Sequence, residues 1–405
     1  MSSRRPEPGG GARPGALAEV LRASLRLGLT SFGGPIAHLA YFRHEYVERR
    51  RWLDEASYAD LVALCQFLPG PASSQLGIAI GTRRAGLLGG VVSWLGFTAP
   101  SAIAMIVFAL FASSLDLASA GWIHGLKLAA VAVVARAVGL MAASLAPDWP
   151  RRLLALGAAA VALAWASPFS QIAVIVGGAI LGRLVLRSSI VPAPAIETSP
   201  VSRRVGLIAL ASFVVLLAGL PVLRTLDGQP VAFFESYFRA GSLVFGGGHV
   251  ILPLLYTSVV EPGWVGNDAF VAGYGAAQAV PGPLTTFAAF LGTVATVPPN
   301  GVAGGLLALV AIFLPSFLLV YGALPFWGWL RSSSGFRRAL GGTNAAVVGL
   351  LLAALYTPIW TSAIVAPVDV LVAGLGLGLL LTGRVPSIVV VALSALAGQL
   401  LVSLA

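Results

Sequence analysis

Charge is scarce in this 405-residue chain: Asp, Glu, Lys and Arg make up only 10%, against about 25% in a soluble domain. What charge there is sits in clusters. Ala269–Leu330, Ala339–Val368 and Val385–Ala405 contain no Asp, Glu, Lys, Arg or His. Uncharged apolar stretches of about 18 residues or more are read as membrane spans. With 58% hydrophobic residues, a large soluble core is set aside and the bilayer becomes the first partner. Cysteine is nearly absent: Cys65 stands alone, which excludes an intrachain disulfide and a thiolate metal cage. No Gly-rich loop ends in Lys-Ser or Lys-Thr, so ATP drive is not encoded. No His, Asp and Glu cluster has metal-ligand spacing. The expectations are no catalytic residues, no metal and no cofactor.

Met1–Ala16 is rich in Arg, Pro and Gly and lacks the apolar stretch of a signal peptide. It reads as a cytoplasmic tail. The net charge of +10 does not call for nucleic acid. In a membrane protein, excess Arg collects in cytoplasmic loops and sets orientation.

The chain reads as two copies of one unit. Ser31-Phe32-Gly33-Gly34-Pro35 recurs as Val244-Phe245-Gly246-Gly247-Gly248, and Trp52 as Trp264. Gln66-Phe67-Leu68-Pro69-Gly70-Pro71 recurs as Gln278-Ala279-Val280-Pro281-Gly282-Pro283. Gly89-Gly90 and Pro100-Ser101 recur as Gly304-Gly305 and Pro315-Ser316. Five matches in one order and near-constant offset point to duplication. The copies run over 17–187 and 231–405. The linker, 188–230, opens on the Ser- and Pro-rich loop Ser188–Ser202 and carries an extra apolar segment, Val205–Leu223.

Loop charge orients the copies. Arg43, Arg49, Arg50 and Arg51 face the bare Tyr256–Trp264 of copy two, and Arg151 and Arg152 face the bare Thr357–Pro367. In the other direction, Arg331, Arg337 and Arg338 match Ala112–Ala120, and Arg384 matches Ser167–Pro168. Under the positive-inside rule the copies are inverted. Phe32-Gly33-Gly34-Pro35 and Pro69-Gly70-Pro71 break their helices, since Pro removes a donor and Gly permits positive φ. The pieces on either side are too short to cross, so both read as re-entrant hairpins. The fold class expected is an all-α integral membrane protein of two inverted repeats, with about nine full spans and four re-entrant hairpins, in the cell inner membrane.

Broken helices in a bilayer must face protein or a water-filled cavity, and their N-terminal N–H groups favour anions. The half-helices beginning at Pro35, Pro71, Gly248 and Pro283 are four such ends. Ser73, Ser74, Thr285 and Thr286 follow the two Pro-Gly-Pro tips, and Gln66 and Gln278 precede them. All can donate to an oxyanion. The plainer reading is that Gly and Pro allow tight packing while Ser and Thr bond back to their helices. Arg136 lies deep in an apolar span, where charge is costly, and its planar fork suits an oxyanion. Lys127 lies nearer the end of that span and can snorkel. His38 and His249 follow the glycine breaks without aligning with each other; each is a packing residue or a proton carrier for coupling. Glu45 is a weaker candidate of the same kind.

On these residues the sequence resembles the chromate ion transporter family in its long, two-domain form. The resemblance is carried by Thr30 through Pro35, Arg51-Trp52-Leu53, Gln66 through Pro71 with Ser73-Ser74-Gln75, Phe245 through His249, and Gln278 through Pro283. It implies chromate export and chromate resistance, driven by the membrane potential or a counter-ion. Sulfate is the competing tetrahedral dianion, and self-association into a homodimer is left open. An intramembrane enzyme using Ser, His and Glu is the remaining alternative; it needs a nucleophile and base at matched depth, which the repeats do not supply.

The Arg pattern yields a topological test. Single cysteines at Arg50 and Thr257, with Cys65 replaced, should label from opposite faces, the first cytoplasmic. Labelling from one face in intact cells overturns the inverted arrangement.

Overall fold

A computed structural model describes residues 15–113, 121–165, 168–187, 199–226, 228–245 and 248–404. The tail before Gly15, most of Ser188–Ser202, Gly246-Gly247 and parts of Ala112–Ala120 and Ser167–Pro168 lie outside the described residues. Among the described residues every regular element is helical. The first half comprises α1 (Ala16–Thr30), α2 (Gly34–Arg43), α3 (Glu55–Phe67), α4 (Ala72–Ser113), α5 (Gly121–Leu145), α6 (Trp149–Ala164) and α7 (Pro168–Val185). Then comes α8 (Arg203–Leu223), the extra segment. The second half comprises α9 (Gln229–Ser242), α10 (Ile251–Leu255), α11 (Asn267–Ala277), α12 (Phe287–Val294) and α13 (Gly301–Ala323). It closes with α14 (Trp327–Ser332), α15 (Ser334–Ala354), α16 (Thr361–Ala363), α17 (Pro367–Leu381) and α18 (Ser387–Leu404).

Helix starts follow their capping chemistry. Asp54 accepts from the Ser57 N–H at 2.7 Å, and Asp148 from Arg151 N–H at 3.0 Å. Each thereby satisfies a donor that the first helical turn leaves free. α4 is in fact two helices, because Ala85 and Gly86 leave helical geometry. Its first leg, 72–84, is too short to cross about 30 Å of hydrocarbon at 1.5 Å per residue. In the second half the corresponding leg ends at Val294 and the long helix α13 begins at Gly301. A short π-helical segment follows the first break at His44–Arg49 and the second at Tyr256–Val260.

Contacts at the Trp52 loop bring three segments of the first half together. The Trp52 ring stacks on Tyr46 at 5.3 Å, with the Arg50 and Arg84 guanidinium groups 5.2 and 5.0 Å from its centroid. Arg84 also pairs with Glu19 of α1 at 2.7 Å. The start of α1, the turn after α2 and the end of the 72–84 leg therefore share one level. In the second half, Trp264 lies against Phe233 of α9 and its carbonyl accepts from Thr296 N–H at 2.9 Å. Backbone bonding there replaces the arginine clamp.

Farther along, the halves exchange helices. α5 packs on α17 and α18, and α15 packs on α6 and α7. Glycines let these backbones meet: a Cβ on Gly125 would lie 2.0 Å from the Ser394 carbonyl oxygen, and one on Gly342 2.0 Å from that of Gly178. By length and apolarity, five helical stretches can cross a membrane: 72–112, 121–145, 203–223, 301–330 and 334–363. Shorter apolar helices, α7, α17 and α18 among them, accompany these.

The exchange is testable. Gly125→Leu and Gly342→Leu should lower the amount of folded protein, because overpacking costs about 1–3 kcal/mol or more and backbone cannot yield as a side chain can. Gly139→Leu, with open space around the added atoms, should not. Fluorescence-detected size exclusion of the three variants checks this; equal peaks refute the close packing.

Candidate functional site

The two Pro-Gly-Pro tips are locked into the opposite halves by matching bonds. Gly70, between α3 and α4, donates its N–H to the Val244 carbonyl at 2.6 Å. Gly282, after α11, donates its N–H to the Ser31 carbonyl at 2.9 Å. Gly70 and Gly282 have φ of +131° and +100°, a conformation that strongly favours glycine. A Cβ on Gly70 would lie 2.9 Å from Ser316 Oγ, and one on Gly282 2.9 Å from Ser101 Oγ. Each tip thus rests in the other half's glycine break and against the Pro-Ser pair inside the other half's long helix. Those helices are α4 with Pro100 and α13 with Pro315.

Buried polar atoms without a hydrogen-bond partner gather in these same segments. They are Ser31 Oγ, both ring nitrogens of His38, Ser74 Oγ, Gln75 Oε1, Thr98 Oγ1, Gln278 Nε2, Thr285 Oγ1 and Ser316 Oγ. A buried polar group without a partner costs about 1–3 kcal/mol, more where no water can reach it. Gly33, Gly34, His249, Gln278, Gly282 and Ser387 surround a cavity of about 20 Å³. That is room for about one water. A tetrahedral oxyanion, with four oxygens, does not fit in it.

Cationic and titratable side chains stand beside this cavity. His249 Nδ1 and Tyr274 Oη are 2.7 Å apart, and His249 Nε2 is 3.7 Å from where a Gly34 Cβ would lie. His38 meets Phe97 edge to face at 5.4 Å and lies within electrostatic range of His249. Arg136, half-buried on α5, is within electrostatic range of His249. It makes no hydrogen bond or ion pair with any described residue.

The predicted residues divide accordingly. Ser31, Gly33, Gly34, Gln278, Gly282 and His249 meet at the second tip, with Pro281 and Pro283 framing it. Pro69, Gly70, Pro71, Ser73 and Ser74 form the first tip, where Gln75 Nε2 donates to the Pro69 carbonyl at 2.6 Å. Thr285 is unpartnered, whereas Thr286 Oγ1 donates back to the Pro283 carbonyl at 2.9 Å. Phe32 and Phe245 are half-buried, and Gln66 is exposed. α2 starts at Gly34, with Pro35 as its next residue, and a short 3₁₀ turn starts at Gly248. Gly246 and Gly247 lie outside the described residues. Glu45 sits in the Trp52 loop, held by Arg50 at 2.6 Å and Arg49 at 2.9 Å. Burial pushes its carboxyl up, but the two guanidinium groups outweigh this and hold it below the usual carboxylate range. Lys127 pairs with Asp268 at 2.6 Å.

Sequence reasoning passed over Gln75, Thr98, Ser101, Tyr274, Ser316 and Ser387 as site residues. The recurrence of Pro100-Ser101 as Pro315-Ser316 was the available signal, since a Pro-Ser pair inside a long uncharged helix marks a bend with a polar group at it. Nothing in sequence marked Ser387.

The chain matches the chromate transporter family over residues 18–183 and again over 231–399. It is 29% identical over 347 residues to a probable chromate transport protein of Synechococcus elongatus, covering 84% of each chain. It is likewise 29% identical over 350 residues to a chromate transport protein of Pseudomonas aeruginosa, covering 84% of this chain and 80% of that one. A chromate transport protein of Cupriavidus metallidurans is 26% identical over 346 residues, 84% of this chain and 82% of the other. No solved structure matches.

Gly70→Leu and Gly282→Leu should each abolish transport while the protein still inserts, because the side chain disfavours the positive φ and strikes the facing serine. Full transport by both variants, at matched protein level, removes the tips from the site.

Proposed function

This chain belongs to the chromate transporter family, and on that premise we propose that it exports chromate across the cell inner membrane as a secondary transporter. The proposal includes two inverted repeats, 17–187 and 231–405, joined by a linker carrying α8. It includes nine full crossings, four re-entrant hairpins and the resulting chromate resistance. The reciprocal Gly70–Val244 and Gly282–Ser31 bonds support the repeat reading. So do the shared level of the first two hairpins and the exchanged helices.

One observation carries the functional reading: among the described residues, unpartnered buried polar atoms converge where helices break, with Arg136, likewise without a partner there, beside them. Hydroxyls and the Gln278 amide supply directional donors, and Arg136 supplies the positive charge that makes a dianion tolerable inside a membrane. The tip N–H groups of Gly70 and Gly282 are engaged by carbonyls, so side chains provide the donors in this closed state. Transport then needs no covalent step: the protein replaces the oxyanion's hydration shell, closes and reopens. The membrane potential favours outward movement of a dianion, and an entering counter-ion adds drive. His38 and His249, each following one glycine break, are the proton carriers in this reading. Sulfate presents the same tetrahedron of oxygens and is the substrate to test against chromate.

Inverted vesicles taking up labelled chromate, with sulfate as competitor, test the substrate. Within that assay, Arg136→Gln should weaken apparent affinity about 10- to 100-fold, from about 1.5–3 kcal/mol for hydrogen bonds to a charged partner. Arg136→Lys should fall between, keeping charge and losing the two-donor fork. An unchanged half-saturating chromate concentration in Arg136→Gln, at matched expression, takes this arginine out of the site.

A further inference from the structure

A second cavity, of about 530 Å³, lies apart from the small one and is apolar. Pro69 and Phe245 border it where the hairpin tips meet, and Ala179, Leu207, Phe336 and Leu340 are among its walls. Those walls come from α7, α8 and α15. In each, an arginine stands close to a wall residue: Arg183 four positions after Ala179, Arg203 four before Leu207, Arg338 two before Leu340. Positions four apart share a helix face, so Arg183 and Arg203 continue the faces that line the cavity.

The three arginines gather at one end. α7 and α15 run antiparallel, since Gly178 meets Gly342 and Ala346 while Gly182 meets Gly342 and Arg338. The Arg183 guanidinium reaches the start of α15, with Nη1 3.0 Å from where a Gly335 Cβ would lie. α8 starts at the same end, its Gly206 packed against Pro325 and Phe326 just before α14. Trp329, largely exposed on α14, marks this level as a water–lipid interface, where indoles concentrate. None of Arg183, Arg203 and Arg338 has an acidic partner among the described residues, and Arg338 Nε is buried with no hydrogen bond.

We propose that this cavity holds an acyl chain of an anionic phospholipid, whose phosphate is bound by Arg183, Arg203 and Arg338. An apolar slot alone fits any lipid tail. Unpaired guanidinium groups at its interfacial end select a headgroup with net negative charge, each contributing through the attraction that draws basic residues to anionic membranes. The tail ends against Pro69 and Phe245, so its seat adjoins the tips without entering the polar cavity. The inference does not depend on which oxyanion is carried.

Native mass spectrometry of the purified full-length chain, titrated separately with phosphatidylglycerol and phosphatidylcholine, tests it. Phosphatidylglycerol should bind at least about tenfold more tightly. Arg183→Gln with Arg338→Gln should weaken it about 25-fold, at about fivefold per arginine, while Arg183→Lys with Arg338→Lys retains most of it. Leu340→Trp, which fills the slot, should weaken both lipids. Equal affinity for the two lipids makes the cavity an ordinary lipid contact and overturns the proposal. So does undiminished phosphatidylglycerol binding in the Gln pair. If the Gln pair does not purify, the wild-type comparison and the Leu340→Trp variant decide it.

Discussion

Every feature of the central region follows from one constraint: backbone cut open inside a bilayer must find its hydrogen bonds in protein, because no water is there to supply them. Two Pro-Gly-Pro tips and two glycine breaks interrupt helices in this chain. Each tip answers the need of the opposite break, Gly70 N–H to Val244 and Gly282 N–H to Ser31. Neither half closes its own. A single copy would leave a tip donor and a break carbonyl unpaired, at a cost of several kcal/mol in a medium without water. The need to share these bonds explains why the tips sit so close to the facing Pro-Ser pairs that only glycine fits. It also explains why the helices that follow are exchanged between the halves.

Much of this was legible in the order of residues. The breaks announce themselves because Gly and Pro change backbone physics locally, whatever surrounds them, and five motifs recur in one order in the two halves. The extra apolar segment appears as α8 within two residues of its expected start. What could not be read is which groups face one another. Gln66 and Gln278 occupy matching positions, yet Gln66 is exposed while Gln278 Nε2 is buried without a partner. Register along a helix separates the two, and after Pro-Gly-Pro the register depends on whether the next turn is α-helical, as at Ala72, or 3₁₀, as at Leu284. Ser73 and Thr285 therefore align by count and differ in environment. Glu45, read as a weaker proton-carrier candidate, is held by its sequence neighbours Arg49 and Arg50 and lies 3.9 Å from Arg26, one helix away.

The two tips are chemically unequal. His249 stands beside the second tip, where the matching residue of the other copy is Ile36; His38 matches Ile251 in the same way. Both histidines and Arg136 are associated with the Gly282 side of the centre, while the Gly70 side offers Ser74, Gln75 and Ser316, all neutral. Of the groups named here, only Arg136 carries a fixed charge.

The packing also limits how such a centre can open. α1 lies along α4, α9 along α13, and α4 contacts both α12 and α13, so the four breaks belong to one interlocked body. α5 packs on α17 and α18, and α15 on α6 and α7, while α5 also packs on α11 and on α15. Arg136's helix is itself tied to the second tip's helix, since a Cβ on Gly275 of α11 would lie 2.2 Å from the Leu126 carbonyl oxygen of α5. Parting the tips requires breaking Gly70–Val244 or Gly282–Ser31, at a net cost of about 1 kcal/mol where water replaces the lost partner and more where it does not. Parting the tips would admit water to an unpaired backbone. The small cavity is bounded by Gly282 on one side and Ser387 of α18 on the other, so a tip and an exchanged helix together set its size. The crossed tip bonds and the exchanged helices therefore hold the centre jointly.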